Sequence, residues 1–212
     1  MHILLYSQSG SDTDLKTFKD FFQIDPKGQR VVLVSNGYDE VIEDATEYET
    51  NILDKKEVLG SFGFHVTTVD LRVHTKRSLQ TILDDSDILW VRGGTVGTLV
   101  KAFQESGLAT ILKDALLDGL MYVGSSAGAM VLSDYLDIAA HYPGEEESQL
   151  ENVKGLGIID FQMIPHANAI DLSVFESVLE SDRTYYTLPD GAAIGVDDGQ
   201  IEFYGEGITQ VY

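Results

Sequence analysis

The sequence predicts an α/β fold, a three-layer sandwich with a mostly parallel central sheet and a small C-terminal antiparallel extension. Three observations carry that reading. Short apolar runs alternate with amphipathic stretches of about a dozen residues, the rhythm of βαβ units. The runs are apolar throughout, as strands buried on both faces are. Near the end, Asp198-Gly199 separates two short strand-like segments, a hairpin signature.

The elements follow in order. Residues 3–6 (ILLY) read as the first buried strand. Ser11-Asp12-Thr13-Asp14 supplies a helix N-cap leading into residues 15–22. Residues 29–35 (QRVVLVS) form a second strand, and residues 40–62 a long helical stretch. Residues 64–71 alternate as a third strand. Residues 76–84 are helical, and residues 88–91 (ILWV) form a fourth strand. Residues 94–105 and 108–118 suggest two helices, and residues 120–123 (LMYV) a fifth strand. Residues 161–165 (FQMIP) read as a further strand, followed by a helix-like segment over 168–179. Residues 192–196 and 200–204 close the pattern as the hairpin. The length suits a single domain spanning 1–212.

Composition narrows the function. Lys and Arg number 14 against 35 Asp and Glu, a net charge of −21. Such a surface repels phosphate backbones and anionic membranes, so neither nucleic acid nor membrane is an expected partner. Charged residues make up only 23%, which argues against a salt-adapted surface. The absence of cysteine removes disulfides, thiolate zinc sites and a Cys nucleophile. No stretch approaches the roughly 18 apolar residues of a membrane span. The N-terminal apolar run is too short for a signal peptide, so a cytoplasmic location is expected.

The most informative segment is Gly124-Ser125-Ser126-Ala127-Gly128-Ala129, between the fifth strand and a helical continuation at Met130-Val131-Leu132. Gly124-x-Ser126-x-Gly128 in a strand–turn–helix context is a nucleophile-elbow pattern. A sharp turn lifts the central side chain above the sheet edge. Small neighbours let strand and helix approach, and the helix N-terminus offers N–H groups to developing negative charge. The bland alternative is a small-residue turn that only packs tightly.

A serine nucleophile needs a general base. Of the five histidines, His2 and His65 sit at strand starts and His74 lies among basic residues. His166 follows residues 161–165, at the C-terminal end of a strand, where doubly wound sheets gather their ligands. His141 is the runner-up. Arg92-Gly93-Gly94-Thr95 forms a second glycine turn after the fourth strand. Acyl transfer needs two donors on the tetrahedral oxygen. The N–H of Ala127 can supply one, and Gly93 or Gly94 the other.

These residues together resemble the dipeptidase E / cyanophycinase family of serine peptidases, which has the class I glutamine amidotransferase-like fold. The matching pieces are Gly93-Gly94-Thr95, the run from Tyr122 to Ala129, and Ile164-Pro165-His166. The resemblance implies Ser126 as nucleophile, His166 as base, and Gly94 and Ala127 at the oxyanion hole. It also implies an acid between Ser126 and His166, where Asp134, Asp137, Glu145, Glu146, Glu147 and Glu151 lie. Glu145, after the Pro143-Gly144 turn, is the preferred candidate, with Glu146, Glu147 and Asp137 behind it.

Two departures stand out. The family's Gly-Gly-Asn-Thr turn lacks its Asn here. No Arg closely follows His166, the next basic residue being Arg183, so specificity for N-terminal aspartate is not expected. The reading is a serine hydrolase cleaving amide bonds in small peptides through an acyl-enzyme, with no cofactor or metal. An α/β-hydrolase esterase is a rival, but the 40 positions between Ser126 and His166 leave little room for its βα units. A catalytically silent binding module on the same fold is the other.

Overall fold

A computed structural model describes residues 1–9, 11–39, 41–145 and 154–211. The strands are β1 (His2–Tyr6), β2 (Arg30–Val34), β3 (His65–Val69), β4 (Ile88–Val91), β5 (Met121–Ser125), β6 (Phe161–Pro165), β7 (Thr184–Leu188), β8 (Ala193–Asp197), β9 (Gln200–Tyr204) and β10 (Thr209–Val211). The helices are α1 (Asp12–Phe22), α2 (Ala45–Ser61), α3 (Lys76–Asp84), α4 (Val96–Ser106), α5 (Leu112–Leu117) and α6 (Ala127–Met130).

The main sheet runs β3-β2-β4-β5-β1-β8-β9. Its first five strands are parallel, and the β8–β9 hairpin joins antiparallel on β1. Side-chain alternation splits the core in two, because successive residues of a strand face opposite ways. Leu4, Tyr6, Val31, Leu33, Trp90 and Val123 pack on Phe18 of α1 and Leu59 of α2. Ile3, Leu5, Val32, Val34, Leu89 and Val91 face α3 to α6. This is the expected sandwich, its hairpin in place.

Local chemistry sets the helix boundaries. Ser11 caps α1, its side chain accepting from Asp14 N and the Asp14 carboxylate from Ser11 N. α2 starts later than the 40–62 expectation because Asp44 caps it, accepting from Glu47 N.

Two expectations are corrected. β6 is not a strand of the main sheet. It pairs with β7 in a separate sheet of order β10-β7-β6, packed on the α4–α6 face. The helix expected over 168–179 is reduced to a 3₁₀ turn, Leu172–Phe175. The Asp171 carboxylate there accepts from the backbone and hydroxyl of Ser173, and such local bonds compete with helix formation. No helix among the described residues is long and apolar enough to cross a membrane.

Candidate active site

The parallel strands β1, β4 and β5 end side by side, and the candidate residues follow them directly. Ser126 stands at the turn from β5 into α6 with φ 50° and ψ −120°. That strained conformation is held from several sides, as functional turns are. The Ser126 N–H donates to Tyr6 O of β1 at 3.0 Å, and its carbonyl accepts from Ala129 and Met130. The glycine at 128 is required by close approach. A Cβ there would lie 2.3 Å from Val91 O and 2.7 Å from Arg92 O.

The second glycine turn sits against this elbow. Gly94 has φ +106°, and a Cβ on it would meet Gly37 backbone at 2.1 Å. Thr95 N donates to Gly37 O at 2.8 Å, fixing the turn. Among the described residues no acceptor takes the N–H of Gly93, Gly94 or Ala127. These donors stand beside Ser126 ready for an external oxygen.

His166 comes from the small sheet, immediately after β6, and also has a positive φ of 59°. Its Nε2 lies 3.0 Å from Ser126 Oγ, and its Nδ1 lies 2.7 Å from Asp190 Oδ1. His166 and Asp190 keep 28% and 27% of their side-chain exposure, so the pair is accessible but not fully solvated. Ser7, just past β1, locks the arrangement. Its Oγ accepts from His166 N at 2.7 Å and donates to Asp190 Oδ1 at 2.9 Å. Asn168 Oδ1 accepts from Asp190 N at 2.8 Å. The carboxylate thus favours the tautomer with a proton on Nδ1, leaving Nε2 as acceptor toward the serine hydroxyl.

The structure brings Ser126, His166, Gly94 and Ala127 together, and the carboxylate on His166 Nδ1 is that of Asp190. The carboxylate of Glu145, the expected acid, accepts from the N–H groups of Val96 and Gly97, in the first turn of α4. A carboxylate is stabilised there by the helix's unsatisfied donors. Asp137 accepts from Arg183 at 2.9 Å and from Gln162 at 2.8 Å, away from the histidine. Glu146 and Glu147 lie outside the described residues. His141, the alternative base, packs edge-on against Phe175.

Asp190 escaped sequence reasoning because the acid was sought between Ser126 and His166. It lies on the turn between β7 and β8, within Leu188-Pro189-Asp190-Gly191. Pro-Asp-Gly after an apolar strand reads as an ordinary turn. Its sole distinguishing signal is position, at the end of a strand neighbouring β6. Ser7 carried no motif at all.

The constellation opens into a cavity of about 550 Å³ lined by residues including Gln8, Tyr38, Arg92, Tyr142 and Ile170. Tyr142 donates from its hydroxyl to Pro165 O at 3.0 Å, tying the 142–145 loop to the strand that carries His166. Burial pushes the Tyr142 phenol far above its ordinary range, so it stays a neutral donor. Arg183 does not line the cavity. It pairs with Asp137 at 2.9 Å and Glu180 at 3.2 Å, and stacks on Tyr135.

Known proteins resemble this chain over most of its length. The model of peptidase family S51 matches residues 3–204. An uncharacterized peptidase from Listeria innocua is 22% identical over 175 residues, covering 72% of this chain and 84% of that protein. A peptidase E from Haemophilus influenzae is 23% identical over 193 residues, covering 84% and 81%. Among solved structures, one from Listeria monocytogenes EGD-e, described as a peptidase E protein, superposes with a TM-score of 0.76 at 21% identity, covering 97% of this chain and 98% of that one. A peptidase from an acI-B1 Actinobacterium gives 0.75 at 15% identity, covering 99% and 93%. At these identities the structural likeness speaks for the fold.

Proposed function

The chain belongs to peptidase family S51, a family of serine peptidases, and on that premise we propose that it hydrolyses small peptides through Ser126, His166 and Asp190 by way of an acyl-enzyme. The observation that carries the reading is the imidazole of His166, bridging a serine hydroxyl at 3.0 Å and a carboxylate at 2.7 Å.

Ser126 Oγ attacks the carbonyl carbon of the scissile amide while His166 Nε2 takes its proton. The imidazolium so formed is stabilised by Asp190, which remains ionised. The carbonyl oxygen becomes an oxyanion and receives the N–H groups of Gly94 and Ala127. Preorganised donors of this kind cost no reorganisation at the moment of reaction. Collapse of the tetrahedral intermediate breaks the C–N bond, and His166 returns its proton to the leaving amine. Water then repeats the sequence on the ester, with His166 again as base, and releases the acid and free Ser126.

The cavity of about 550 Å³ accommodates a few residues of peptide, which supports small substrates. The charge of −21 supports partners other than nucleic acid. A fluorophosphonate probe tests the nucleophile directly. Mass spectrometry should find the label on Ser126, and Ser126→Ala should lose both labelling and peptide hydrolysis while keeping its circular dichroism. A folded, unlabelled wild-type protein that cleaves no peptide in a mixed library would refute the reading and leave a binding module.

A further inference from the structure

Tyr38 lines the cavity at Ser126, and the chemistry proposed for that serine leaves its hydroxyl unused. The residue ends a 3₁₀ turn, Asn36–Tyr38, that follows β2. Asn36 is buried and anchors the turn. Its Nδ2 donates to Asp39 Oδ2 at 2.8 Å and to Asp70 Oδ1 at 3.0 Å, and its Oδ1 accepts from Leu71 N at 3.0 Å. Gly37 O accepts from Thr95 N, so this turn and the Gly93-Gly94 turn are held as one piece. The Tyr38 ring is fixed on its face by the Arg92 guanidinium, 4.8 Å from the ring centre. Arg92 is itself anchored on Asn51 Oδ1 at 2.8 Å.

The hydroxyl faces the elbow across Gly93. A Cβ on Gly93 would lie 3.2 Å from Ser126 Cβ and 3.6 Å from the Tyr38 hydroxyl oxygen, with Ser125 O also at 3.6 Å. Ser126 and Tyr38 thus border one gap, which the missing side chain of Gly93 leaves open. Space that would take a methyl group takes a carbonyl oxygen. Among the described residues the Tyr38 hydroxyl has no hydrogen-bond partner. Two neighbouring hydroxyls are committed elsewhere, Thr95 Oγ1 to Thr98 Oγ1 at 2.7 Å and Tyr142 to Pro165 O at 3.0 Å. An oxygen held by the N–H of Gly94 sits next to Gly93, on the side of Ser126 where Tyr38 stands.

From this arrangement we infer that Tyr38 is a further catalytic residue, whose hydroxyl donates a hydrogen bond to the oxygen of the scissile carbonyl as that oxygen becomes an oxyanion. The inference rests on the peptidase reading above and adds a side-chain donor to the backbone donors of Gly94 and Ala127. A tetrahedral oxyanion carries three lone pairs, so a third donor finds an acceptor that two N–H groups leave open. Tyrosine hydroxyls serve this purpose where they are fixed before the reaction begins. The anchored turn and the stacked guanidinium fix this one. The phenol keeps its proton throughout, and the proton of Ser126 still passes through His166 to the leaving amine.

Tyr38→Phe removes one oxygen and keeps the ring under Arg92, so circular dichroism and melting temperature should stay as in the wild type. On a peptide that the wild type cleaves, kcat should fall on the order of 10–10² while KM stays within about twofold. Phosphonylation of Ser126 by a fluorophosphonate should slow to a similar degree, because the phosphoryl oxygen occupies the place of the carbonyl oxygen. Added to Ser126→Ala, Tyr38→Phe should leave the calorimetric affinity for the same peptide unchanged, since the hydrogen bond strengthens only as charge develops. Tyr38→Leu should match the kcat loss of Tyr38→Phe and also lower the melting temperature, which separates the hydroxyl from the ring. A kcat and a phosphonylation rate for Tyr38→Phe both within about threefold of wild type would overturn the inference and leave the peptidase reading standing. A rise in KM at unchanged kcat, or a loss of affinity in the Ser126→Ala background, would also overturn it, by showing a ground-state contact. A wild-type protein with neither turnover nor Ser126 labelling is the separate outcome that refutes the peptidase reading, and the role of Tyr38 with it.

Discussion

Replacing Asp190 by Asn separates the acid proposed above, the carboxylate found at His166, from the one expected at Glu145. The perturbation removes one negative charge 2.7 Å from His166 Nδ1 and keeps the size of the side chain. With an effective dielectric of about 20–40 for a partly exposed pair, that charge stabilises an imidazolium by roughly 3–6 kcal/mol. At about 1.4 kcal/mol per decade, kcat should fall by on the order of 10²–10⁴. Loss of the favoured tautomer acts in the same direction, as in serine proteases generally. KM should change little, because Asp190 contacts His166 and Ser7 and does not line the cavity. Glu145→Gln is the matched control. It weakens a helix-terminal charge interaction worth about 0.3–1 kcal/mol, so kcat should stay within tenfold and the melting temperature should drop slightly. The assay is steady-state hydrolysis of one good peptide, with circular dichroism and melting curves on each variant. A kcat for Asp190→Asn within threefold of wild type, or a larger loss for Glu145→Gln, would refute the assignment.

Further expectations follow from packing and charge. Gly128→Ala drives a methyl to 2.3 Å from Val91 O, so urea unfolding should show a loss of about 1–3 kcal/mol, and an unchanged midpoint would contradict the close approach. Lys55 has its pKa lowered from 10.5 to about 8, so below pH 8 the folded state carries an unfavourable ammonium that the unfolded chain carries freely. Lys55→Met should therefore stabilise the protein at pH 7 by up to roughly 3 kcal/mol, and the gain should fade as pH rises from about 8 to 10.5; a gain independent of pH would point to packing alone. With a net charge of −21, moderate NaCl should raise the melting temperature by screening self-repulsion, and a falling response would reveal dominant attractive pairs.

What could be read from the sequence divides along physical lines. β1, β2, β4 and β5 each carry an apolar run, Ile3–Tyr6, Val31–Val34, Ile88–Val91 and Met121–Val123, and burial on both faces makes such runs conspicuous. β7, Thr184-Tyr185-Tyr186-Thr187-Leu188, carries hydroxyls at four consecutive positions and shows no apolar run, so neither it nor the second sheet is legible in the sequence. Ser126 was singled out because an elbow's constraints are local, set by small residues within four positions. His166 was placed by the end of a strand, though that strand belongs to a different sheet from the one supposed. Asp190 had no such rule. Its contact with His166 is created by tertiary pairing of β6 with β7, which no spacing in the chain announces.

The constellation is assembled from three distant stretches, with Ser126 after β5, His166 after β6, and Asp190 between β7 and β8. Ser7, at the very start, ties the last two together. During synthesis the elbow leaves the ribosome well before Asp190 does, and domains fold largely as units from the N-terminus onward. On the roles proposed above, a growing chain therefore displays Ser126 and His166 before Asp190 is there to pair with the imidazole. The pairing is completed only when the turn at 189–191 closes against the segment that follows β1. The order of segments along the polypeptide thus makes assembly of this constellation a late step of folding.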